Sequence, residues 1–275
     1  MLKTKMSVDN FFEILIKEMD ENKELRDYHR LFKNPSFFEL RKAYFCQRLR
    51  FLIDQIKDTN SNVWDLGCGH GTTSFFLAMN GIKSHGTTIG DHYFNGISRR
   101  RNFWDNYGDT SLFTTSYENL FDSSQADDSY DYIILQDTLH HLEPVQQVFS
   151  ILHKNLRTNG KIIILEANGG NFIHQLKLFC IRGNKRIIEV YDHQLKKNLL
   201  YGNENFRSIN QWQKELEKQN FTIEDNVQYI KFFPQFFYNG KNTEEIINLE
   251  QEITQKWPII KENLFFGMNF VAAKV

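Results

Sequence analysis

Residues 62–73, Asn-Val-Trp-Asp-Leu-Gly-Cys-Gly-His-Gly-Thr-Thr, restrict the fold of this chain more than any other stretch. A short apolar run at residues 63–66 predicts a buried strand. Glycine then occupies positions 67, 69 and 71, which predicts a tight loop. The apolar residues 74–79 predict a helix that Asn80-Gly81 ends. A strand, a glycine loop and a helix in this order open a nucleotide-binding βα unit.

The residues of this loop indicate which nucleotide it binds. A dinucleotide fingerprint needs a glycine where Thr72 stands. Asp65 precedes the loop, where a carboxylate repels a pyrophosphate but attracts a ligand that carries an ammonium and a sulfonium. At ~4 Å and an effective dielectric of ~20, the gross Coulomb difference is several kcal/mol. The loop therefore favours S-adenosylmethionine (SAM) over NAD, with a ligand-free turn as the other alternative.

Two motifs carry a resemblance to a known family. The run Asp65-x-Gly67-x-Gly69-x-Gly71 resembles motif I of the class I SAM-dependent methyltransferases. Residues 130–142, which contain Tyr-Asp-x-Ile and Leu-His-His-Leu, resemble motif IV of small-molecule methyltransferases of types 11 and 12. The resemblance covers residues 62–167 well and the last third only by pattern. It implies a Rossmann-like α/β fold, in which a seven-stranded, mostly parallel sheet with an antiparallel last strand carries helices on both faces.

The resemblance also implies SAM as the cofactor and S-adenosylhomocysteine as its product. Thr88 stands where related enzymes usually have a ribose-binding acid, so Asp91 or His92 is an alternative ribose ligand, and capping of the next helix is the structural alternative for Asp91. Ser116 and Tyr117 match a stretch that touches adenine. The predicted cofactor-binding residues are Asp65, Gly67, Cys68, Gly69, Gly71, Thr88, Ile89, Asp91, Ser116, Tyr117 and Gln136.

Two histidines and a carboxylate at predicted strand ends are the candidate catalytic residues. In an open α/β sheet, ligands bind at the carboxyl ends of the strands, where His140, His141 and Glu166 fall. An imidazole can remove a proton from an acceptor hydroxyl near neutral pH, and His140 is the first choice. Asp137, His140 and His141 also resemble the metal site of the ubiquinone-biosynthesis O-methyltransferases. The match is inexact, with Asp and His in place of Glu, so no metal is predicted.

The predicted organisation has an N-terminal helical cover at residues 1–58 and a SAM-binding domain at residues 59–275. An insertion at about 169–207 contains seven Lys or Arg against three Asp or Glu, a net charge of +4. This basic, amphipathic segment predicts a lid over the substrate, with a solvated surface as the alternative. Helices are also predicted at 7–19, 40–56, 93–104, 145–156, 208–219 and 243–256, and strands at 82–89, 111–115, 130–135, 161–166, 221–233 and 263–275.

Composition and charge limit the partners. A chain of 275 residues suits one α/β domain with additions. Its net charge of −1 gives no overall attraction to nucleic acid or an anionic membrane. The residues after the fourth strand lack the proline-aromatic type that receives a flipped base, so DNA is not a predicted partner. No apolar run long enough for a membrane span and no signal region are seen. Three cysteines without metal spacing predict a reducing, cytoplasmic setting.

The predicted activity is transfer of the SAM methyl group to an oxygen, nitrogen or carbon atom of a small acceptor. The 25 phenylalanines and the basic insertion favour an apolar or lipid-like acceptor, with an anionic or carrier-bound one left open. Three alternatives remain: a cyclopropane-synthase-like or C-methylating lipid enzyme, suggested by Thr88; an NAD-dependent oxidoreductase; and a non-catalytic methyltransferase-like scaffold. The oligomeric state is open.

Overall fold

A computed structural model describes residues 5–232 and 235–275. The strands in chain order are β1 (Asn62–Leu66), β2 (Lys83–Thr88), β3 (Phe113–Tyr117), β4 (Tyr130–Gln136), β5 (Leu156–Ala167), β6 (Ile187–Asp192), β7 (Lys197–Gly202), β8 (Phe221–Ile223), β9 (Gln228–Phe232) and β10 (Phe265–Lys274). The helices are α1 (Val8–Glu21), α2 (Lys23–His29), α3 (Phe38–Gln55), α4 (Thr72–Met79), α5 (Asp91–Trp104), α6 (Val145–Asn155), α7 (Phe172–Arg182), α8 (Ile209–Glu217), α9 (Thr243–Lys256) and α10 (Pro258–Leu264).

The main sheet has the strand order β3-β2-β1-β4-β5-β10-β8, and β9 also pairs with β10. Strands β1 to β5 are parallel, whereas β10 runs antiparallel to β5, β8 and β9. The predicted Rossmann-like architecture with an antiparallel last strand is confirmed. The chain reverses its direction of winding between β1 and β4, which is the switch point where open α/β sheets bind ligands.

The predicted seven strands become eight in this sheet because the sixth is interrupted. Strands β8 and β9 replace a single strand at 221–233, and residues 224–227 separate them. The interruption contains Glu-Asp-Asn, and asparagine and aspartate favour turns over a continuous ladder. Phe233, the predicted end of that strand, lies outside the described residues, as does Pro234.

The N-terminal helices are tied to the glycine loop by a buried ion pair. Glu18 on α1 accepts hydrogen bonds from Nε and Nη2 of Arg100 on α5, both at 2.8 Å, and from Nε1 of Trp104 at 2.9 Å. Arg100 Nη1 then donates to the carbonyl of His70 at 2.7 Å and to Thr72 Oγ1 at 2.8 Å. Both ionised side chains are buried. The guanidinium therefore links the first helix to the loop that follows β1.

The insertion consists of α7 and a separate two-stranded hairpin formed by β6 and β7. The hairpin contacts the main sheet through a hydrogen bond of 2.9 Å from the Tyr117 hydroxyl of β3 to Asp192, and it contacts the segment after β3 through the ion pair between Lys197 and Asp122. The insertion, predicted to be amphipathic, contains α7, and Leu178 is the one buried residue of this helix, so most of its apolar side chains are not packed. Among the described residues, no helix is both long enough and apolar enough to cross a bilayer.

Candidate cofactor and acceptor site

The glycine loop follows β1 and is held against β2. The backbone N–H groups of Gly67 and Cys68 both donate to the carbonyl of Thr87, at 2.8 and 2.9 Å. Gly67 has φ +79°, and a Cβ built there would lie 2.4 Å from the side chain of Thr138. Only glycine suits this position, because it alone lacks the side chain that would meet Thr138 and readily adopts positive φ.

Asp65 lies at the wall of a cavity beside this loop. Its carboxylate accepts a hydrogen bond of 2.7 Å from Ser74 Oγ on α4 and is almost fully buried. Burial raises the pKa of Asp65 to about 6, while the Ser74 bonds lower it. The group is therefore mostly ionised at pH 7, and it supplies negative charge to the cavity with little water to screen it.

Two cavities meet above the carboxyl ends of β1 and β4. The first, here called the α3 cavity, has a volume of about 400 Å³ and lies between α3 and the glycine loop. The second, the hairpin cavity, has a volume of about 320 Å³ and lies between the loops after β2 and β3 and the strand β7. Both volumes fall in the usual range for small-molecule sites. The residues common to both walls are Tyr28, Gly67, Gln136 and Asp137.

The α3 cavity contains three basic side chains, and only one of them is paired. Arg48 forms an ion pair of 2.6 Å with Asp137 and donates to the carbonyl of Leu165 at 2.7 Å. Arg41 donates to backbone carbonyls, and the Lys231 ammonium lies 4.3 Å from the centroid of the Phe266 ring. Within the described residues, neither Arg41 nor Lys231 has a carboxylate within 4.0 Å. This end of the site is therefore positively charged.

The hairpin cavity contains only part of the predicted nucleotide site. Thr88 and Ile89 line it, as do Gly67, Gly69 and Gln136. Most of its other wall residues were not predicted, among them the polar Glu118 and Tyr201 of the insertion. The remaining wall residues are Tyr28, Leu66, Thr87, Tyr93, Asn119, Leu120, Phe121, Asp137, Thr138, His141, Leu142, Leu199 and Leu200.

Four predicted cofactor residues lie outside both walls. Gly71 is the N-cap of α4 with φ +74°, and Asp91 is the exposed first residue of α5, with Gly90 at the N-cap position. Ser116 Oγ bonds the ring of His85 and the carboxylate of Glu118. The Tyr117 hydroxyl accepts from the Gly90 N–H and donates to Asp192. Tyr117 thus holds the hairpin, and its predicted stacking on adenine stays a prediction.

His140 and Glu166 form a buried pair that lines neither cavity. His140 Nδ1 lies 2.7 Å from Glu166 Oε2, and Glu166 Oε1 accepts from the N–H of Leu139 at 2.7 Å. Burial disfavours the charged imidazole, but the neighbouring Glu166 carboxylate outweighs it and raises the pKa of His140. Because His140 and Glu166 are buried and line neither cavity, they do not face a bound acceptor, so the geometry favours a positioning role for both residues.

His141 differs from its neighbour because it faces the hairpin cavity. Its Nδ1 donates to the carbonyl of Gly202 at 2.8 Å, and its ring stacks on Tyr201 at 4.3 Å. Burial, helped by the positive charge of His140, lowers the pKa of His141 to about 4. The ring is therefore neutral at pH 7. Because its N–H is on Nδ1, its Nε2 lone pair is available to accept a proton.

The structure does not bring together Asp137, His140 and His141, the residues whose sequence resembles a metal site. Asp137 pairs with Arg48 rather than with the histidines. In the part of the chain that the structure describes, the single group of three potential metal ligands contains His140, His141 and Glu204, the last from the insertion. The inexact set Asp137, His140 and His141 is thus not assembled as a ligand set.

Comparisons with known proteins agree with this geometry. A family model described as "Methyltransferase domain" matches residues 64–162, which run from β1 into β5. Residues 64–162 thus match a methyltransferase domain, which is consistent with the class I SAM-dependent methyltransferases. The match therefore favours SAM over NAD as the ligand of the glycine loop, against the alternative of an NAD-dependent oxidoreductase. No curated protein matches the chain in sequence.

Solved structures of methyltransferases share the fold. A SAM-dependent methyltransferase from Archaeoglobus fulgidus has a TM-score of 0.56 at 16% identity over 90% of this chain and 100% of its own. Phosphoethanolamine N-methyltransferase 2 from Haemonchus contortus, in complex with SAM, has a TM-score of 0.58 at 16% identity over 94% of this chain and 60% of its own. A methyltransferase from Methanosarcina mazei has a TM-score of 0.55 at 16% identity, over 82% and 97%. At these identities the likeness establishes the fold of the methyltransferase domain.

Proposed function

We propose that this methyltransferase binds the adenosine part of SAM in the hairpin cavity and its methionine part beside Asp65. The acceptor then enters the remainder of the α3 cavity. The observation that carries the proposal is the junction of the two cavities at Gly67, with the Asp65 carboxylate on one side of it. A donor that spans this junction places its reactive methyl group between the nucleotide side and the acceptor side.

The acceptor in this proposal is a small molecule with an apolar body, methylated on oxygen, nitrogen or carbon. Leu31, Tyr44 and Phe45 provide an apolar wall of the α3 cavity. SAM supplies an activated methyl group when bound. The chain has to align the acceptor with it, and such alignment alone contributes roughly 7–11 kcal/mol to lowering the barrier. The residues at and after the end of β4, Gln-Asp-Thr-Leu, lack the proline-aromatic type that receives a flipped base, so DNA is not a proposed partner.

The segments outside the domain core belong to the same proposal. The proposed cover at residues 1–58 includes α2, whose Tyr28 lines both cavities. The insertion at about 169–207 acts as a lid because β7 supplies one wall of the hairpin cavity. The three cysteines are free and fit a reducing compartment, so we keep the cytoplasm as the proposed location.

Transfer of a labelled methyl group tests the proposed reaction. The purified protein, incubated with methyl-deuterated SAM and a small-molecule extract, is expected to yield a labelled product by mass spectrometry. His141→Ala is expected to lower the rate about 100-fold if this imidazole is the base. His193→Ala, a change at an exposed histidine, is the control. A protein that binds SAM but labels no small molecule would instead fit the non-catalytic scaffold.

The pH dependence of SAM binding tests the role of Asp65. The pKa of this carboxyl is about 6 in the folded protein, so protonation removes its charge as the pH falls through 6. Affinity for SAM, measured by calorimetry, is expected to fall about tenfold from pH 7.5 to pH 5, since binding favours the ionised form. Asp65→Asn is expected to bind weakly at every pH. An equal slope in wild type and variant would remove Asp65 from the site.

A further inference from the structure

The α3 cavity ends in two basic side chains that the transfer reaction itself does not require. Arg41 lies on α3 and Lys231 on β9, so two distant segments bring positive charge to one place. We infer that Arg41 and Lys231 form an anion subsite, and that the acceptor therefore carries a carboxylate or phosphate group remote from the methylated atom. The inference rests on the proposed function, because it names the acceptor of the same site.

The ion pairs within the α3 cavity show that Arg41 and Lys231 are the cations available to bind an anion. Asp137 accepts a hydrogen bond from Arg48 and so compensates that guanidinium. Asp65 is bonded to Ser74 at the other end, beside the glycine loop. Arg41 donates only from Nη1 in its hydrogen bonds, to two backbone carbonyls. Its charge is therefore left without a counterion within the described residues.

Aromatic rings hold Lys231 without neutralising it. The ammonium lies 4.3 Å from the centroid of the Phe266 ring and 5.2 Å from that of Tyr44. Ring faces attract a cation but leave its positive charge available to an anion. The backbone of Lys231 has φ +61°, a conformation that residues other than glycine rarely adopt and that clusters at ligand-binding sites. The fold thus holds Lys231 in an unfavourable backbone conformation, and its side chain lines the α3 cavity.

The position of Lys231 separates it from the donor. The sheet places β4, β5 and β10 between β1, which carries the glycine loop, and β9. At about 4.8 Å per strand, four steps separate the two backbones by roughly 19 Å. We therefore do not expect Lys231 to bind the carboxylate of the SAM methionine group beside Asp65. We expect it to bind a charged group at the far end of the acceptor.

The charge on Lys231 is expected to make anion binding depend on pH. Burial, reinforced by Arg41, lowers the pKa of Lys231 to about 8. Arg48 from α3 also lowers it, whereas Asp137 after β4 and Glu250 on α9 raise it. The ammonium form predominates at pH 7 and is lost as the pH rises through 8. Binding of an anion is therefore expected to weaken above that pH.

Calorimetry with small aryl probes tests the subsite directly. The protein saturated with S-adenosylhomocysteine is titrated at pH 7 with benzoate, phenyl phosphate and the uncharged benzamide. At least one anion is expected to bind ten times or more tightly than benzamide, and the stronger one distinguishes a carboxylate from a phosphate acceptor. Lys231→Met is expected to remove at least tenfold of that affinity and its pH dependence. Lys83→Met, a change at an exposed lysine of β2, is the control.

Two results would overturn the inference. One is equal binding of benzoate, phenyl phosphate and benzamide. The other is a Lys231→Met protein that folds normally and keeps the affinity of wild type. Lys231→Gln, which retains a polar end group, replaces it if the methionine variant fails to fold. Failure of S-adenosylhomocysteine to bind would count against the proposed function instead, and the same titrations on the free protein would then decide the subsite.

Discussion

Gly67→Ala is expected to weaken SAM binding by at least about 100-fold. A Cβ at this position would lie 2.4 Å from Thr138, whose Oγ1 also donates to the carbonyl of Gln136 at 3.0 Å. Both residues belong to the hairpin-cavity wall, so the clash displaces the surface that the donor occupies. Left-handed backbone adds about 1–2 kcal/mol for a residue with a side chain. Because a tenfold change in affinity is about 1.4 kcal/mol, the backbone cost corresponds to roughly 5- to 30-fold, and we expect the collision with Thr138 to account for the rest of the loss. Calorimetric titration with SAM measures the loss.

Gly240→Ala provides a matched control for this prediction. Gly240 also has a positive φ, of +73°, but a Cβ there meets no atom within 4 Å. The control therefore carries the backbone cost without the collision, and its SAM affinity is expected to equal that of wild type. Adding Thr138→Ala to Gly67→Ala removes two of the three close atoms and is expected to restore part of the binding. Wild-type affinity in the Gly67→Ala protein alone would show that the loop does not contact the donor.

Glu18→Gln is expected to lower the free energy of unfolding by about 3–5 kcal/mol. The substitution keeps the shape of the side chain but leaves the buried Arg100 guanidinium without its counterion, and removal of one partner of a buried pair has this magnitude. Arg100 also donates to the carbonyl of His70 and to Thr72. We therefore expect the SAM affinity of the folded variant to decrease as well. Urea unfolding followed by circular dichroism gives the stability, and calorimetry gives the affinity.

Asp9→Asn is the matched control for the buried pair. Asp9 accepts two hydrogen bonds from Arg50, at 2.7 and 2.8 Å, so both pairs join α1 to another helix through an arginine. The Asp9 pair is exposed, and breaking such a pair costs about 0–1 kcal/mol. A similar loss of stability in the two variants would mean that burial of Glu18 does not set its contribution.

The sequence predicted those helices and strands whose hydrophobic periodicity and capping residues match the way they pack in the structure. The helix over residues 243–256 matches α9 at both ends, and the Ser208–Gln211 capping box begins α8 as the spacing indicates. The helix α2 was missed because Leu25 is its one buried residue, so it has no apolar stripe. The β6–β7 hairpin was missed because the sequences of its strands, Ile-Ile-Glu-Val-Tyr-Asp and Lys-Asn-Leu-Leu-Tyr-Gly, do not alternate apolar and polar residues.

The candidate site was predictable on the donor side and not on the acceptor side. Asp65 and Gly67 lie in one contiguous motif whose geometry follows from local backbone chemistry. Arg41 and Lys231 are far apart in the chain, and only the pairing of β9 with β10 and the packing of α3 bring them together. His140 and His141 are adjacent in sequence, yet one points into the protein and the other into a cavity. No local pattern distinguishes the two.

The hairpin of the insertion has a kinetic consequence. Leu199, Leu200 and Tyr201 form part of the wall of the hairpin cavity, where we propose that the nucleotide binds, so we expect this strand to move when the spent donor leaves. The ion pair between Lys197 and Asp122 is solvent-exposed and adds little to closure, about 0–1 kcal/mol. The hydrogen bonds from Tyr117 to Asp192 and from His141 to Gly202 also hold the hairpin, and we expect these contacts to break when it opens. The exit of the demethylated donor, rather than bond making, is the step that we expect to limit the turnover number.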